Sequence, residues 1–347
     1  MAEPRFWQSR AHPLSLAISL ALTPVSFLYA GLEALNRKVT QAQHPGKPVI
    51  CVGNLTAGGA GKTPTVQWLT QWLTQETRAP AVLSRGYGGS LKGPLKVDPT
   101  QHSAAQVGDE PRMLAEACAV YIGADRHQSL RLAAQDGHEV MVKDDGFQNP
   151  AMAHHFNLIV VDGATGLGNG RLLPAGPLRQ PLSVALKKLD ALLIIGAPSH
   201  ASLAPLRKAV EAMGKPIFFG QIEPQSPRPK KSAARVHAFC GIAKPEKFIA
   251  SLRGHGYEVA QVTSFGDHHG FTAAEAERLL ASGLTLMTTQ KDMARLQGSP
   301  EGSALARLAE TANTLPIALH IADEAALQTA IQKALADKQA SQIYKSY

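Results

Sequence analysis

Thr56-Ala57-Gly58-Gly59-Ala60-Gly61-Lys62-Thr63 is the segment whose residue types and spacing point most directly to chemistry. It departs from the phosphate-binding pattern G-x-x-x-x-G-K-[ST] only at its first position, where Thr56 stands in place of glycine. Gly58, Gly59 and Gly61 let the backbone curl so that successive N–H groups converge on phosphate oxygens. A helix that follows such a turn points its positive end at the same anion. In that arrangement Lys62 reaches the β- and γ-phosphates of a nucleotide and the Thr63 hydroxyl ligates Mg²⁺. The bland alternative is a glycine-rich turn that happens to precede Lys-Thr; the strand pattern before it and the helix pattern after it argue against that.

A phosphate-binding loop of this kind needs a further acidic group for the metal, usually where a neighbouring strand ends. Asp144 and Asp145 stand where the apolar run Glu139-Val-Met-Val-Lys143 stops, just before Gly146-Phe147-Gln148. One carboxylate would hold Mg²⁺ directly or through water while the other orients it; capping of a turn is the alternative for either alone. Ser84-Arg85-Gly86-Tyr87-Gly88-Gly89 suits a loop that closes over an anionic or sugar ligand. Gly108-Asp109-Glu110-Pro111 opens a helix, where acidic residues are routine. The other reading makes Asp109 a base that takes a proton from an acceptor hydroxyl, with Glu110 on the metal side. In the Gly/Pro-rich loop Asn169–Arg179, Arg171 and Arg179 suit phosphate recognition. Asp267-His268-His269 reads as an acid–His pair that positions a base, because no H-x-x-x-H or cysteine spacing supplies a metal partner. His154-His155 has no such context and reads as surface.

The elements that must position these groups alternate. Strands are expected at 47–53, 79–84, 119–122, 139–143, 157–162 and 190–196, and helices at 62–77, 108–117 and 125–135. In the helix after the phosphate loop, Val66, Leu69, Trp72 and Leu73 fall on one side. This alternation predicts a doubly wound, mostly parallel α/β sheet. The stretch 223–235 is rich in Pro, Ser and basic residues and reads as a linker or exposed hairpin. Beyond it, strands at 236–241, 257–263 and 284–289, helices at 245–254 and 273–281, and a closing strand–helix pair up to residue 340 predict a second, smaller α/β lobe. The division expected from the sequence is therefore an N-terminal segment 1–40, a core 41–222, a linker 223–235 and a C-terminal lobe 236–347.

From Ala11 to Leu32 there is no Asp, Glu, Lys or Arg; Arg5 and Arg10 precede the stretch and Arg37 and Lys38 follow it. A spanning helix is long enough to fit, but Pro24 and several hydroxyl residues dilute it. A signal peptide has the basic start but a poor cleavage pattern, and a buried core helix is the plainest reading. The favoured one is a helix lying in a membrane interface, since Ser15, Ser19, Thr23 and Ser26 share one helical face while Leu and Ile fill the rest. With 44% hydrophobic and 18% charged residues among 347, the chain reads as folded rather than disordered. Three scattered cysteines exclude a disulfide scaffold and a cysteine-rich zinc module and fit a reducing compartment. A net charge of +8 favours acidic partners.

Taken in this order, the blocks VGNLTAGGAGKTPT (52–65), SRGYGG (84–89), GDEP (108–111), DDGFQ (144–148), NGRLLPAGPLR (169–179), DHH (267–269) and TTQKD (288–292) resemble the tetraacyldisaccharide 4'-kinase family of lipid A biosynthesis. The resemblance implies a membrane-associated P-loop kinase. It would move the γ-phosphate of ATP to the 4'-hydroxyl of a tetraacylated glucosamine disaccharide 1-phosphate, giving lipid IVA. It implies that Lys62 and Thr63 bind phosphate and Mg²⁺, that Asp109 is the base supported by His268, and that Glu110, Asp144 and Asp145 lie on the metal side. Tyr87, Gln148, Arg171 and Arg179 are then candidates for substrate or phosphate contact. Gln180 and Gln290 stand where the family often has Glu, which puts one local polar contact in doubt at each. The implied partners are an anionic glycolipid and the cytoplasmic face of the inner membrane, with no nucleic acid and no obligate protein partner. A P-loop GTPase or ATPase switch is the rival reading, but Gln290-Lys291-Asp292 has the wrong spacing for guanine recognition. A nucleic-acid-dependent ATPase lacks a basic stripe with interleaved aromatics.

Overall fold

The computed structural model describes residues 4–8, 12–76, 78–229 and 235–337. The chain opens with α1 (Pro13–Val39), β1 (Val49–Asn54), α2 (Lys62–Gln75) and β2 (Pro80–Ser84). There follow β3 (Leu95–Lys96), α3 (Ala104–Val107), α4 (Asp109–Leu114), β4 (Val120–Ile122) and α5 (Arg126–Gln135). Next come β5 (Val140–Asp144), β6 (Phe156–Asp162), α6 (Leu182–Lys188), β7 (Ala191–Ile195), α7 (Leu203–Ala212) and β8 (Ile217–Pro224). Beyond these lie β9 (Arg235–Cys240), α8 (Pro245–Gly254), β10 (Glu258–Ser264), α9 (Ala273–Leu280) and β11 (Thr285–Thr288). The last are α10 (Gln290–Leu296), α11 (Ala304–Thr311), β12 (Asn313–Thr314), β13 (Ile317–Ile321) and α12 (Glu324–Ala336).

Two compact units arise, each discontinuous along the chain. Among the described residues, the P-loop unit takes 4–82, Ala134–Ile222 and 319–337; the Asp109 unit takes Leu83–Ala133 and Glu223–Ala318. This differs from the linear division at 223–235. The reason is packing: α10 lies against α3 and α4, so segments far apart in sequence share one core. Residues 230–234 of the expected linker, and those after Asp337, lie outside the described residues.

In the P-loop unit the strands run β13-β8-β7-β6-β1-β5-β2. β1 pairs in parallel with β5 on one side and β6 on the other, with Val52 opposite Asp144 and Leu158. β6, β7 and β8 continue the parallel set. Every residue of β1, β2, β5, β6 and β7 is buried, which is what continuous apolar runs such as VICVG and LLII encode. β5 and β6 are consecutive in the chain yet flank β1, so their connection passes from one side of β1 to the other. The carboxyl ends of strands at such a switch point are where ligands bind in open α/β sheets, and there β1 runs into the glycine-rich loop and β5 ends at Asp144. α2 buries Val66, Leu69, Trp72 and Leu73, the side its spacing marked out.

His154 and His155 are not the surface pair that the sequence suggested. They lie just before β6. His155 Nδ1 accepts from the Val49 amide at 3.1 Å. His154 is buried between the fully buried Lys143, whose Nζ is 3.0 Å from Nε2, and Asn157, whose Oδ1 is 2.8 Å from Nδ1. Burial first, and then the Lys143 charge, hold His154 well below the usual histidine range, so it stays neutral. A short connection tied to β1 buries His154 and leaves His155 half-buried.

α1 overturns the core-helix reading. Its buried residues are Ser19 and Ser26, whereas Leu14, Leu20, Val25, Phe27, Leu28, Leu32, Leu35 and Val39 are half or more exposed. The helix continues through Pro24 and ends on Arg37 and Lys38, cations suited to a helix C-terminus. Of the flanking basic residues, Arg10 lies outside the described residues.

The Asp109 unit is built on the parallel sheet β10-β9-β11-β12. One core gathers Phe239, Leu279, Leu286 and Leu308; another gathers Val236, Ala238, Phe248 and Leu252. β3 and β4 pair antiparallel.

Candidate active site

The glycine-rich loop leaves β1 in a conformation that its glycines require. Gly61 caps α2 with φ +92°, and a Cβ there would lie 2.7 Å from Ile195 Cδ1. Asn54 Nδ2 donates to Gly58 O at 3.2 Å. From the other side, the Ala57 amide donates to Pro177 O at 2.8 Å and the Arg179 amide to Leu55 O at 3.0 Å. Lys62 and Thr63 are the first two residues of α2, whose first turn holds no acidic side chain. The positive end of this helix is therefore uncompensated, as an anion site demands.

Lys62 Nζ stands 3.5 Å from Asp145 Oδ2. Arg179 Nη1 donates to Oδ1 and Oδ2 of the same carboxylate at 2.9 and 3.0 Å. Asp145 has a left-handed backbone, φ +48°. Burial raises its carboxyl, but Lys62 and Arg179 together outweigh that and hold it below the ordinary range. Asp144 is buried at the end of β5. The Thr63 hydroxyl and the carboxylates of Asp144 and Asp145 are all oxygen donors, the chemistry Mg²⁺ prefers. Among the described residues no group of three His, Cys, Asp or Glu side chains forms a ready-made metal cage.

The second cluster belongs to the Asp109 unit. Gly108 has φ +94°, and a Cβ there would come within 2.5 Å of Tyr87 O, so glycine lets SRGYGG pack against the start of α4. Asp109, the next residue, is the hub. His268 Nδ1 lies 2.7 Å from Asp109 Oδ2. Arg295 donates to that same oxygen from Nε at 2.9 Å and from Nη2 at 2.7 Å. Burial raises the Asp109 carboxyl; the hydrogen bonds from His268 and Arg295, and the Arg295 charge, more than reverse this and hold it at about 2. Among the described residues, Oδ1 accepts no hydrogen bond. Arg295 is fixed in turn: Nη1 donates to Gly241 O at 2.7 Å and to Asp292 Oδ1 at 2.5 Å. The fully buried Asp292 also takes the Gly241 amide and the Thr289 hydroxyl.

The remaining expected residues are placed as follows. Tyr87 is exposed, with its ring edge-on to His268 at 6.1 Å. Glu110 accepts from Lys291 Nζ at 3.2 Å, an ion pair inside the Asp109 unit. Gln148 Nε2 donates to Asn54 O at 2.8 Å, tying the DDGFQ turn to the end of β1. Arg171 Nη1 donates to Thr23 Oγ1 at 2.8 Å, so this arginine binds α1. Gln180 is buried, and neither of its amide atoms has a hydrogen-bond partner among the described residues. Gln290 opens α10, which Thr289 caps by accepting from the Asp292 amide. Arg295, Asp292 and Lys291 are the contributors that residue-by-residue reading missed. The T-x-x-D capping spacing from Thr289 and the i,i+3 pair Asp292/Arg295 were the available signals.

Comparison with known proteins gives the chain's family. Residues 18–336 match the family model described as tetraacyldisaccharide-1-P 4'-kinase. The tetraacyldisaccharide 4'-kinase of Rhodopseudomonas palustris (strain BisA53) is 45% identical over 335 residues, 94% of this chain and 93% of the relative. That of Parvibaculum lavamentivorans is 43% identical, covering 96% of this chain and 98% of the relative. Among solved structures, LpxK from Aquifex aeolicus in complex with ATP superposes with a TM-score of 0.71 at 27% identity, over 92% of this chain and 99% of that one. With a match over nearly its whole length and relatives above 40% identity, this chain belongs to the tetraacyldisaccharide-1-P 4'-kinase family.

Proposed function

We infer that this enzyme transfers the γ-phosphate of ATP to the 4'-hydroxyl of a tetraacylated glucosamine disaccharide 1-phosphate, giving lipid IVA. The observation that carries the reading is the left-handed Gly61 turn that sets Lys62 at the head of α2, beside Asp145, in a chain of this family. The amides from Thr56 to Thr63 and the Lys62 ammonium bind the β- and γ-phosphates. Bound magnesium would neutralise charge on those oxygens, held by Thr63 and by Asp144 or Asp145. Phosphoryl transfer asks mainly for positioning and charge neutralisation. Asp109 accepts the acceptor hydroxyl's proton on Oδ1 while Arg295 and His268 hold Oδ2. Its low basicity is no obstacle, because a loose transition state makes little demand on the base before the new bond forms. Arg179 keeps Asp145 ionised beside Lys62.

A lipid substrate lies in a bilayer surface. The outward apolar face of α1, the cations at its end and the net charge of +8 fit an anionic leaflet. ATP places that leaflet on the cytoplasmic side of the inner membrane. A GTPase switch is not favoured: Lys291 is engaged with Glu110, and Asp292 is buried against Gly241.

The test is to incubate the protein with γ-labelled ATP, Mg²⁺ and a total lipid extract. One labelled lipid is expected, a tetraacylated disaccharide bisphosphate. Label released only as inorganic phosphate, or carried by another lipid class, would refute the reading.

A further inference from the structure

α1 turns its hydroxyl residues inward, and almost all of them meet one loop. Ser19 Oγ donates to Ala175 O at 2.7 Å. Ser26 Oγ donates to Leu172 O at 3.0 Å and accepts from the Ala175 amide at 3.1 Å. Tyr29 OH donates to Arg179 O at 2.8 Å. Thr23 receives Arg171, and Asn169 Nδ2 reaches Ser19 Oγ at 3.3 Å. The other end of this loop is the brace of the phosphate site. Pro177 O takes the Ala57 amide, the Arg179 amide is bonded to Leu55 O, and the Arg179 side chain grips Asp145. One loop thus separates the helix that exposes Phe27 and Leu28 from the backbone that would wrap the nucleotide. An anchor needs only an apolar face. Buried serines bonded in register to a loop backbone fix geometry, because each such bond is lost if the helix shifts by a turn.

We propose that α1 is a positioning element for the ATP site: through Ser19, Ser26 and Tyr29 it sets loop 169–179, which places Arg179 on Asp145 and braces Ala57, so that seating the helix on lipid and shaping the phosphate loop are one event. This rests on the kinase reading given above. It makes Ser26 and Tyr29 positioning residues, acting through Arg179 and not on substrate.

The experiment uses the full chain and the variants Tyr29→Phe and Ser26→Ala, which remove a hydroxyl and leave the apolar face of α1 intact. Measured are kcat and KM with ATP and the tetraacylated acceptor, and in parallel sedimentation with anionic phospholipid vesicles. For each variant kcat is expected to fall about fivefold, the kinetic equivalent of one net hydrogen bond, while vesicle binding and the KM for acceptor stay as in the wild type. If kcat in both variants is within twofold of wild type, the coupling is wrong. It is equally wrong if kcat falls only in step with vesicle binding, because α1 then serves as an anchor alone. A wild type that transfers no label to lipid refutes the kinase reading instead, so the two failures are told apart.

Discussion

Arg295 spends two nitrogens on a single oxygen of Asp109, the oxygen that also meets His268. The carboxylate is thereby oriented as well as charged. Oδ2 is saturated, Oδ1 is left for an incoming hydroxyl, and the group stays ionised at any pH above about 2. Asp109→Asn keeps the shape and removes the base. Its kcat is expected to fall by ~10² to 10⁴, the usual contribution of a general base, with the KM for ATP changed only a few-fold. Steady-state kinetics with both substrates varied will check this; an equal collapse of ATP affinity would assign Asp109 a binding role.

Replacing Arg295 by Met leaves Asp109 half-buried without its main cation. Its pKa then rises from about 2, since burial already pushes it up and only the His268 hydrogen bond and the Lys291 charge remain to oppose that. The active form is the ionised one, present above the pKa, so the acid limb of the kcat/KM profile moves to higher pH. The variant is expected to lose more activity at pH 5 than at pH 8. Arg295→Lys keeps a charge without the two-pronged contact and should fall between Met and wild type. Profiles from pH 4.5 to 9 decide it; parallel profiles would mean that Arg295 is only structural.

Lys62 lies within reach of Asp145 and heads an uncompensated helix. Lys62→Ala is expected to cut kcat by about a hundredfold or more, as loss of a donor to developing charge does. Transfer of label from ATP to lipid measures it, and turnover near that of wild type would remove the P-loop assignment.

Gly61 occupies a backbone conformation that an L side chain resists. The Ile195 methyl that a new Cβ would meet is the end of a flexible side chain, so most of the penalty is conformational, about 1–2 kcal/mol. Gly61→Ala is expected to lower the melting temperature by a few degrees and to weaken ATP binding. Adding Ile195→Val should restore little of either. Thermal melts with and without Mg-ATP separate the two effects.

The outer face of α1 gives a fifth expectation. Phe27 and Leu28 are among its most exposed apolar residues, and burying each in lipid is worth roughly 1.5–3 kcal/mol. Phe27→Ser with Leu28→Ser should lower partition onto anionic vesicles at least tenfold. Sedimentation at fixed lipid reads this directly, and unchanged binding would count against the interfacial placement.

Much of this was legible in the residues themselves. A buried parallel strand announces itself as an unbroken apolar run, and β1, β5, β6 and β7 lie within two residues of where such runs begin and end. Gly58 and Gly61 were legible because only glycine readily tolerates the left-handed backbone each position carries. The alternation of hydroxyl and apolar residues in 13–39 showed that α1 has two faces. It did not show which one turns inward, because period alone is symmetric between a core and a lipid surface.

Local spacing thus determined which elements form, and that a phosphate loop, an acidic strand end and an Asp–His pair exist along the chain. It also carried the family resemblance. Tertiary structure decided the pairings. It brought Arg295 to Asp109 across 186 positions and Arg179 to Asp145 across 34. It buried His154 against Lys143 and bonded the serines of α1 to loop 169–179. It also set residues 83–133 in one unit with residues 223–318. The physical reason is range. Helix, strand and turn preferences act over a few residues and leave their mark in neighbouring letters. The partner of a charge or a buried hydroxyl is chosen by packing between distant segments, which no local pattern records.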